Sequence, residues 1–143
     1  MKKDEAIRIL TTCALQYYSN LENKNILYIF IENGKMNSFE SLFLPRHFLH
    51  LTGVKIISRG VKSTEFYRLC LKSQLPKSVF TFHENGTTEM KLSVLPQIMN
   101  IHKTAKMVGD YDNAKSVLFT EKIVGTIRAC VGFVREGNYY LPY

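Results

Sequence analysis

Ile123-Val124-Gly125-Thr126-Ile127-Arg128-Ala129-Cys130-Val131-Gly132-Phe133-Val134 has no helical spacing, and Asn138-Tyr139-Tyr140-Leu141 follows it after Glu136-Gly137. Branched and aromatic side chains of this kind fit a pleated surface. Two shorter β-favouring runs, Thr104–Val108 and Ser116–Thr120, come before it, with Gly109-Asp110 and Glu121-Lys122 as punctuation. Connections this short serve antiparallel neighbours, because parallel strands need long crossovers. The back of the chain is therefore expected to be an antiparallel meander. Alternation along its long run would place Thr126 and Arg128 on one face and Ile127 and Ala129 on the other.

Upstream the period changes. Ala6, Leu10, Cys13, Ala14 and Tyr17 recur at helical spacing and predict an amphipathic helix from Lys3 to Tyr18. Ile26 to Glu32 then reads as a strand, and Asn33-Gly34 as a hairpin turn whose central positions want positive φ. The return strand is expected over Met36 to Leu44, with Phe39, Leu42 and Leu44 buried. Pro45 suits the first turn of a short helix anchored by Phe48, Leu49 and Leu51 and ended by Gly53. Ser63 is placed to cap another helix running to about Ser73, with Phe66, Leu69 and Cys70 inside. Thr81 to Thr87 reads as a loop. Thr88 to His102 is helical again, with Pro96 predicting a kink or two pieces. Helices and a hairpin in front of a C-terminal antiparallel sheet make an α+β fold, and 143 residues make one domain.

The charge is localised. Between Leu44 and Ser78 stand Arg46, Lys55, Arg59, Lys62, Arg68, Lys72 and Lys77 against the single acid Glu65. That window carries +6 of the chain's +7. Inside it lies Pro45-Arg46-His47-Phe48-Leu49-His50-Leu51-Thr52-Gly53, two imidazoles and a threonine in a positive field that suits a polyanion such as RNA. Cleaving RNA without a metal needs a proton acceptor, a proton donor and cations around the phosphorane. The free pKa of histidine lies near working pH, which suits His50 to proton transfer, and Thr52 offers a hydroxyl for a phosphate oxygen. Arg46, His47, Lys55, Arg59 and Lys62 are expected to hold the backbone of the nucleic acid. On the β half, Lys106, Thr120, Lys122 and Arg128 are candidates for neutralising developing charge. The plainer alternatives are a histidine packed on a helix flank and a solvated sheet face.

Other chemistries find little support. His47 and His50 are three apart, but no third ligand stands near them and the basic surroundings repel cations, so no metal site is expected. There is no G-x-x-x-x-G-K or G-x-G-x-x-G, and no cofactor is expected. Cys13, Cys70 and Cys130 sit in apolar contexts and read as buried free thiols. The longest apolar run, Ile26–Ile31, is strand-length, and no signal peptide precedes it. A cytoplasmic protein with no membrane partner is the expectation. The final Tyr139-Tyr140-Leu141-Pro142-Tyr143 implies either a well-paired strand or a chain cut short.

Three segments taken in order carry a resemblance. They are Phe48-Leu49-His50-Leu51-Thr52-Gly53, Phe66-Tyr67-Arg68-Leu69-Cys70, and the run from Lys106-Met107-Val108-Gly109-Asp110-Tyr111 through Thr120-Glu121-Lys122-Ile123-Val124-Gly125 to Cys130-Val131-Gly132-Phe133. From Cys13 to Pro142 the set resembles the phage-associated barnase–EndoU–colicin–RelE-like nucleases, fourth phage group. The resemblance implies a compact α+β fold and a metal-independent ribonuclease role in phage–host or toxin conflict. It also implies His50 as general acid/base, Thr52 as a substrate contact, and Lys106, Thr120 and Lys122 as sheet-borne contributors. Sequences of this pattern continue beyond the Tyr-Tyr-x-Pro segment. A tail bearing catalytic groups would leave this chain a binding-only derivative. Two rivals follow: an inert phage protein that blocks a host nucleoprotein or its nucleic-acid channel, and a packaging protein that touches genomic DNA.

Overall fold

The computed structural model describes residues 1–110, 122–126 and 129–142. Helix α1 (Lys3–Asn20) buries Ala6, Leu10, Cys13, Ala14 and Tyr17, the stripe its spacing predicts. Strands β1 (Asn25–Glu32) and β2 (Lys35–Leu42) pair antiparallel, with Tyr28 opposite Phe39 and Ile31 opposite Met36. Asn33 and Gly34 turn the hairpin at φ 52° and 77°, so both central residues take the left-handed region that this turn demands. The pleat puts Phe39, Ser41 and Phe43 inside. Leu42 and Leu44, expected to be buried, alternate away from that face and are only partly covered.

A single 3₁₀ turn at Pro45–His47 leads into α2 (Phe48–Thr52), which Gly53 ends at φ 72°. The two-residue strand β3 (Lys55–Ile56) precedes α3 (Ser63–Leu71). Ser63 is the first helical residue, not the cap. Lys62 takes the cap position, with no side-chain bond to the first turn. Strand β4 (Phe80–Thr81) pairs with β3. The segment forms two pieces, α4 (Thr87–Ile98) and α5 (Ile101–Thr104), but Pro96 lies inside α4 and the break comes after it, at Met99 and Asn100.

Strands β5 (Met107–Asp110), β6 (Lys122–Gly125), β7 (Cys130–Glu136) and β8 (Tyr139–Pro142) form the antiparallel meander. It does not stand apart from the front hairpin. The sheet order is β1-β2-β8-β7-β6-β5, and β8 lies parallel to β2 through Ser41 and Tyr140. The sheet is therefore mixed. Strand β2 covers the β8 edge at that point. The long run expected as one strand also folds back on itself. Thr126 donates its backbone N–H to Ala129 at 2.8 Å, and Gly125 lies opposite Cys130. Thr126 thus stands past the end of β6, and the alternation expected through Ile127 and Arg128 falls on residues outside those described. The run Ser116–Thr120 lies outside the described residues, as does Arg128.

One sheet face packs on the helices. Tyr17, Phe48 and Tyr67 form an aromatic cluster in the helical half, with centroids 5.1–5.3 Å apart. Tyr28, Phe39 and Phe133 form a second on the sheet. Phe43 joins them, 6.1 Å from Tyr17 and 5.7 Å from Phe133. Cys13 and Cys70 are buried, and burial pushes both thiols up to about 12. Cys130, expected inside, is exposed beside the β6–β7 turn. Among the described residues no helix is long and apolar enough to cross a membrane.

Candidate active site and nucleic-acid interface

The Pro45–Gly53 segment is fixed from below. The buried Tyr17 hydroxyl donates to the Leu44 carbonyl at 2.6 Å, and Phe48 packs fully inside. With the apolar side of α2 anchored, Arg46 and His50 are left exposed. They border a cleft of about 360 Å³ together with Ser63, His83, Thr87 and Lys91. His83 was not predicted for this site. It lies in the loop after β4, more than thirty residues along the chain, and no spacing rule links it to His50.

Thr88 brings these segments together. Its buried hydroxyl donates to the Gly53 carbonyl at 2.6 Å and accepts the His83 backbone N–H at 2.9 Å. One side chain therefore ties the end of α2, the His83 loop and the start of α4. Lys91, one turn along α4, donates to the His50 carbonyl at 3.1 Å. Burial holds its ammonium below the ordinary lysine range. Gly53 is required twice over, by its positive φ and because a Cβ there would lie 2.7 Å from Lys91 Cδ.

Ser63 and Thr87, the first residues of α3 and α4, line the cleft, so both helix N-termini border it; the Thr87 N–H itself donates to Asn85 Oδ1 at 3.1 Å. No carboxylate lines it among the described residues, and no group of three His, Cys, Asp or Glu side chains there is arranged to hold a metal ion. The lining suits an anion. Two imidazoles, one guanidinium and one ammonium around such a space can exchange protons and offset negative charge.

The other predicted residues separate. Thr52 is fully buried; its hydroxyl donates to the Leu49 carbonyl at 2.6 Å and accepts the Val54 N–H at 3.2 Å. It shapes the turn that carries His50 and does not line the cleft. His47 is half-buried, and its Nδ1 accepts the Leu44 N–H at 3.0 Å. Desolvation, then the nearby Arg46 and His50, lower its pKa to about 4. Lys55, Arg59 and Lys62 are exposed, and Lys62 adjoins Ser63 at the cleft. Lys106 is exposed outside the cleft; its backbone N–H donates to Gly125 at 2.9 Å. Gly125 lies opposite Cys130, which borders a smaller cavity shared with His50 and Lys91. Lys122 is placed by its backbone, between Asp110 and Phe133. Thr120 lies outside the described residues.

His47 yields a pH prediction. Its folded pKa lies below the free value of 6.5, so between about 6.5 and about 4 the unfolded chain binds the extra proton. Stability is therefore expected to fall as pH drops through that window. Urea midpoints for the wild type and His47→Gln, measured across it, should converge toward the acid end.

Neither the curated proteins nor the solved structures contain a match to this chain. A family model does match, the phage-Barnase-EndoU-ColicinE5/D-RelE like nuclease4, over residues 9–143. That span takes in most of α1, the cleft and the whole sheet, and the chain belongs to this family of phage barnase–EndoU–colicin–RelE-like nucleases.

Proposed function

We propose that this nuclease is a metal-independent endoribonuclease acting in the cytoplasm. The observation that carries the reading is the meeting of His50, His83, Arg46 and Lys91 at one cleft, flanked by two helix N-termini. One imidazole takes the proton of a ribose 2′-hydroxyl as its oxygen attacks the adjacent phosphorus. The other gives a proton to the departing 5′-oxygen. A 2′,3′-cyclic phosphate and a free 5′-hydroxyl result, and no atom is left unbalanced. Arg46, Lys91 and the helix ends bear the phosphorane charge. Lys106, Lys122, Thr120 and Arg128 are proposed to add contacts from the sheet. Arg46, Lys55, Arg59 and Lys62 would track the phosphates without regard to sequence.

The test is cleavage of a mixed RNA pool by purified protein in excess EDTA. Cutting that leaves cyclic phosphate ends is the expected outcome. Cutting only with added divalent cation, or of DNA as readily as RNA, would overturn the reading. One observation favours the rival, an inert blocker of a host nucleoprotein. The outer hairpin face exposes Leu27, Ile29, Ile31 and Met36, each more than half accessible. Tight binding to a host complex with no cutting would select that reading.

A further inference from the structure

The second large opening is in the sheet. Strands β2 and β8 pair only at Ser41 and Tyr140, and beyond that point a wedge of about 410 Å³ opens between them. The register puts Phe30, Asn37, Phe39, Arg135 and Tyr140 on one face, with Ser38 and Glu40 alternating to the other. Phe30 lies opposite Asn37, Ser41 opposite Tyr140, and Arg135 opposite Tyr140. Glu32 shares that face, two residues along from Phe30, and Asn138 borders the wedge from the turn before β8. The floor is aromatic: Phe39 packs 4.9 Å from Tyr140 and 6.1 Å from Phe30.

The polar groups around this floor do not make a phosphate site. Glu32 and Glu40 border it against the single cation Arg135, so an anion is repelled. Arg135 Nε donates to the Gly137 carbonyl at 3.3 Å, and its terminal nitrogens have no hydrogen-bond partner among the described residues. Carboxylate and amide acceptors beside a guanidinium donor, over aromatic rings, fit a planar and uncharged heterocycle.

We infer that the β2–β8 wedge is a nucleobase pocket that seats an unpaired base of the RNA bound in the His50–His83 cleft. This rests on the ribonuclease reading. Along β7, Val131 borders the small cavity beside His50, and Arg135, on the same face, borders the wedge. Their separation is roughly 13 Å at the rise of a strand. A base stacks on Tyr140 and Phe30, Arg135 meets its carbonyl or ring nitrogen, and Glu32 accepts from an exocyclic amine. A carboxylate receives the amine of cytosine, whereas the carbonyl at the same position of uracil faces it with a lone pair.

The probes are 2′-O-methyl oligocytidine, 2′-O-methyl oligouridine and an abasic backbone of equal length. The 2′-O-methyl groups block cleavage, and binding is read by fluorescence anisotropy. Oligocytidine should bind about tenfold tighter than oligouridine, the scale of one good base contact. Glu32→Ala should bring that ratio close to one, and Arg135→Ala should weaken both base-bearing probes relative to the abasic one. Glu32 and Arg135 are exposed, so loss of the fold does not confuse the result. Equal binding of all three probes would overturn the pocket and leave the ribonuclease reading standing. Absence of binding to every probe would overturn both.

Discussion

His50→Ala is expected to lower RNA cleavage by roughly 10²–10⁴-fold, the usual worth of a positioned proton-transfer group. Urea unfolding of the variant separates any change in stability from the loss of chemistry. His83→Ala should cost a similar factor, since base and acid are both needed in one displacement. The double variant should lose far less than the product of the two factors, because groups that act as a unit are not additive. Single-turnover rates on a defined oligonucleotide measure all three. Cleavage that persists in His50→Ala would remove that residue from the chemistry. Arg46→Ala belongs to the same series, and its loss should grow as salt falls, because its partner is a phosphate.

Tyr17→Ala should be the most damaging core change, costing about 3–5 kcal/mol by the precedent of buried aromatic truncations. The ring is fully buried and touches Phe43, Phe48 and Tyr67, so its removal opens the seam between helices and sheet. Tyr17→Phe isolates the hydroxyl. It keeps the ring, frees the Leu44 carbonyl from its 2.6 Å hydrogen bond and should cost about 1 kcal/mol. The site should feel that loss, since Leu44 also donates to His47 and sets the turn that carries Arg46. Urea unfolding gives the stability term, and the cleavage rate of folded Tyr17→Phe gives the positional one. An unchanged rate would show that the turn is held by Phe48 alone.

The helices were legible because each buries one stripe. Ala6, Leu10, Cys13, Ala14 and Tyr17 need only a period of 3.6 to be found, and Gly53 and Asn33-Gly34 announce their backbone angles. The joining of the two β regions was not legible. Nothing in Tyr139-Tyr140-Leu141 says that its free edge meets β2 across most of the chain, because a strand's pattern records its faces and not its neighbours. The end of β6 at Gly125 was hidden for a similar reason: β-branched residues continue past it without a Gly-Asn or Asp-Gly signal.

The cleft was half legible. Charge density led to Arg46 and His50, whereas His83 and Lys91 reach the cleft only through tertiary packing around Thr88. Thr52 looked chemically useful because its hydroxyl was visible in the sequence and its burial was not. A small polar residue near a helix end is as often spent on the local backbone as on a ligand.

The most direct measurement is an NMR titration of the four histidine ring signals with a 2′-O-methyl oligonucleotide. His50 and His83 should shift together and saturate at one stoichiometry, while His102, outside the cleft, stays in place. Movement of His102 with His50 and His83 unmoved would place the RNA elsewhere and contradict the assignment of this cleft.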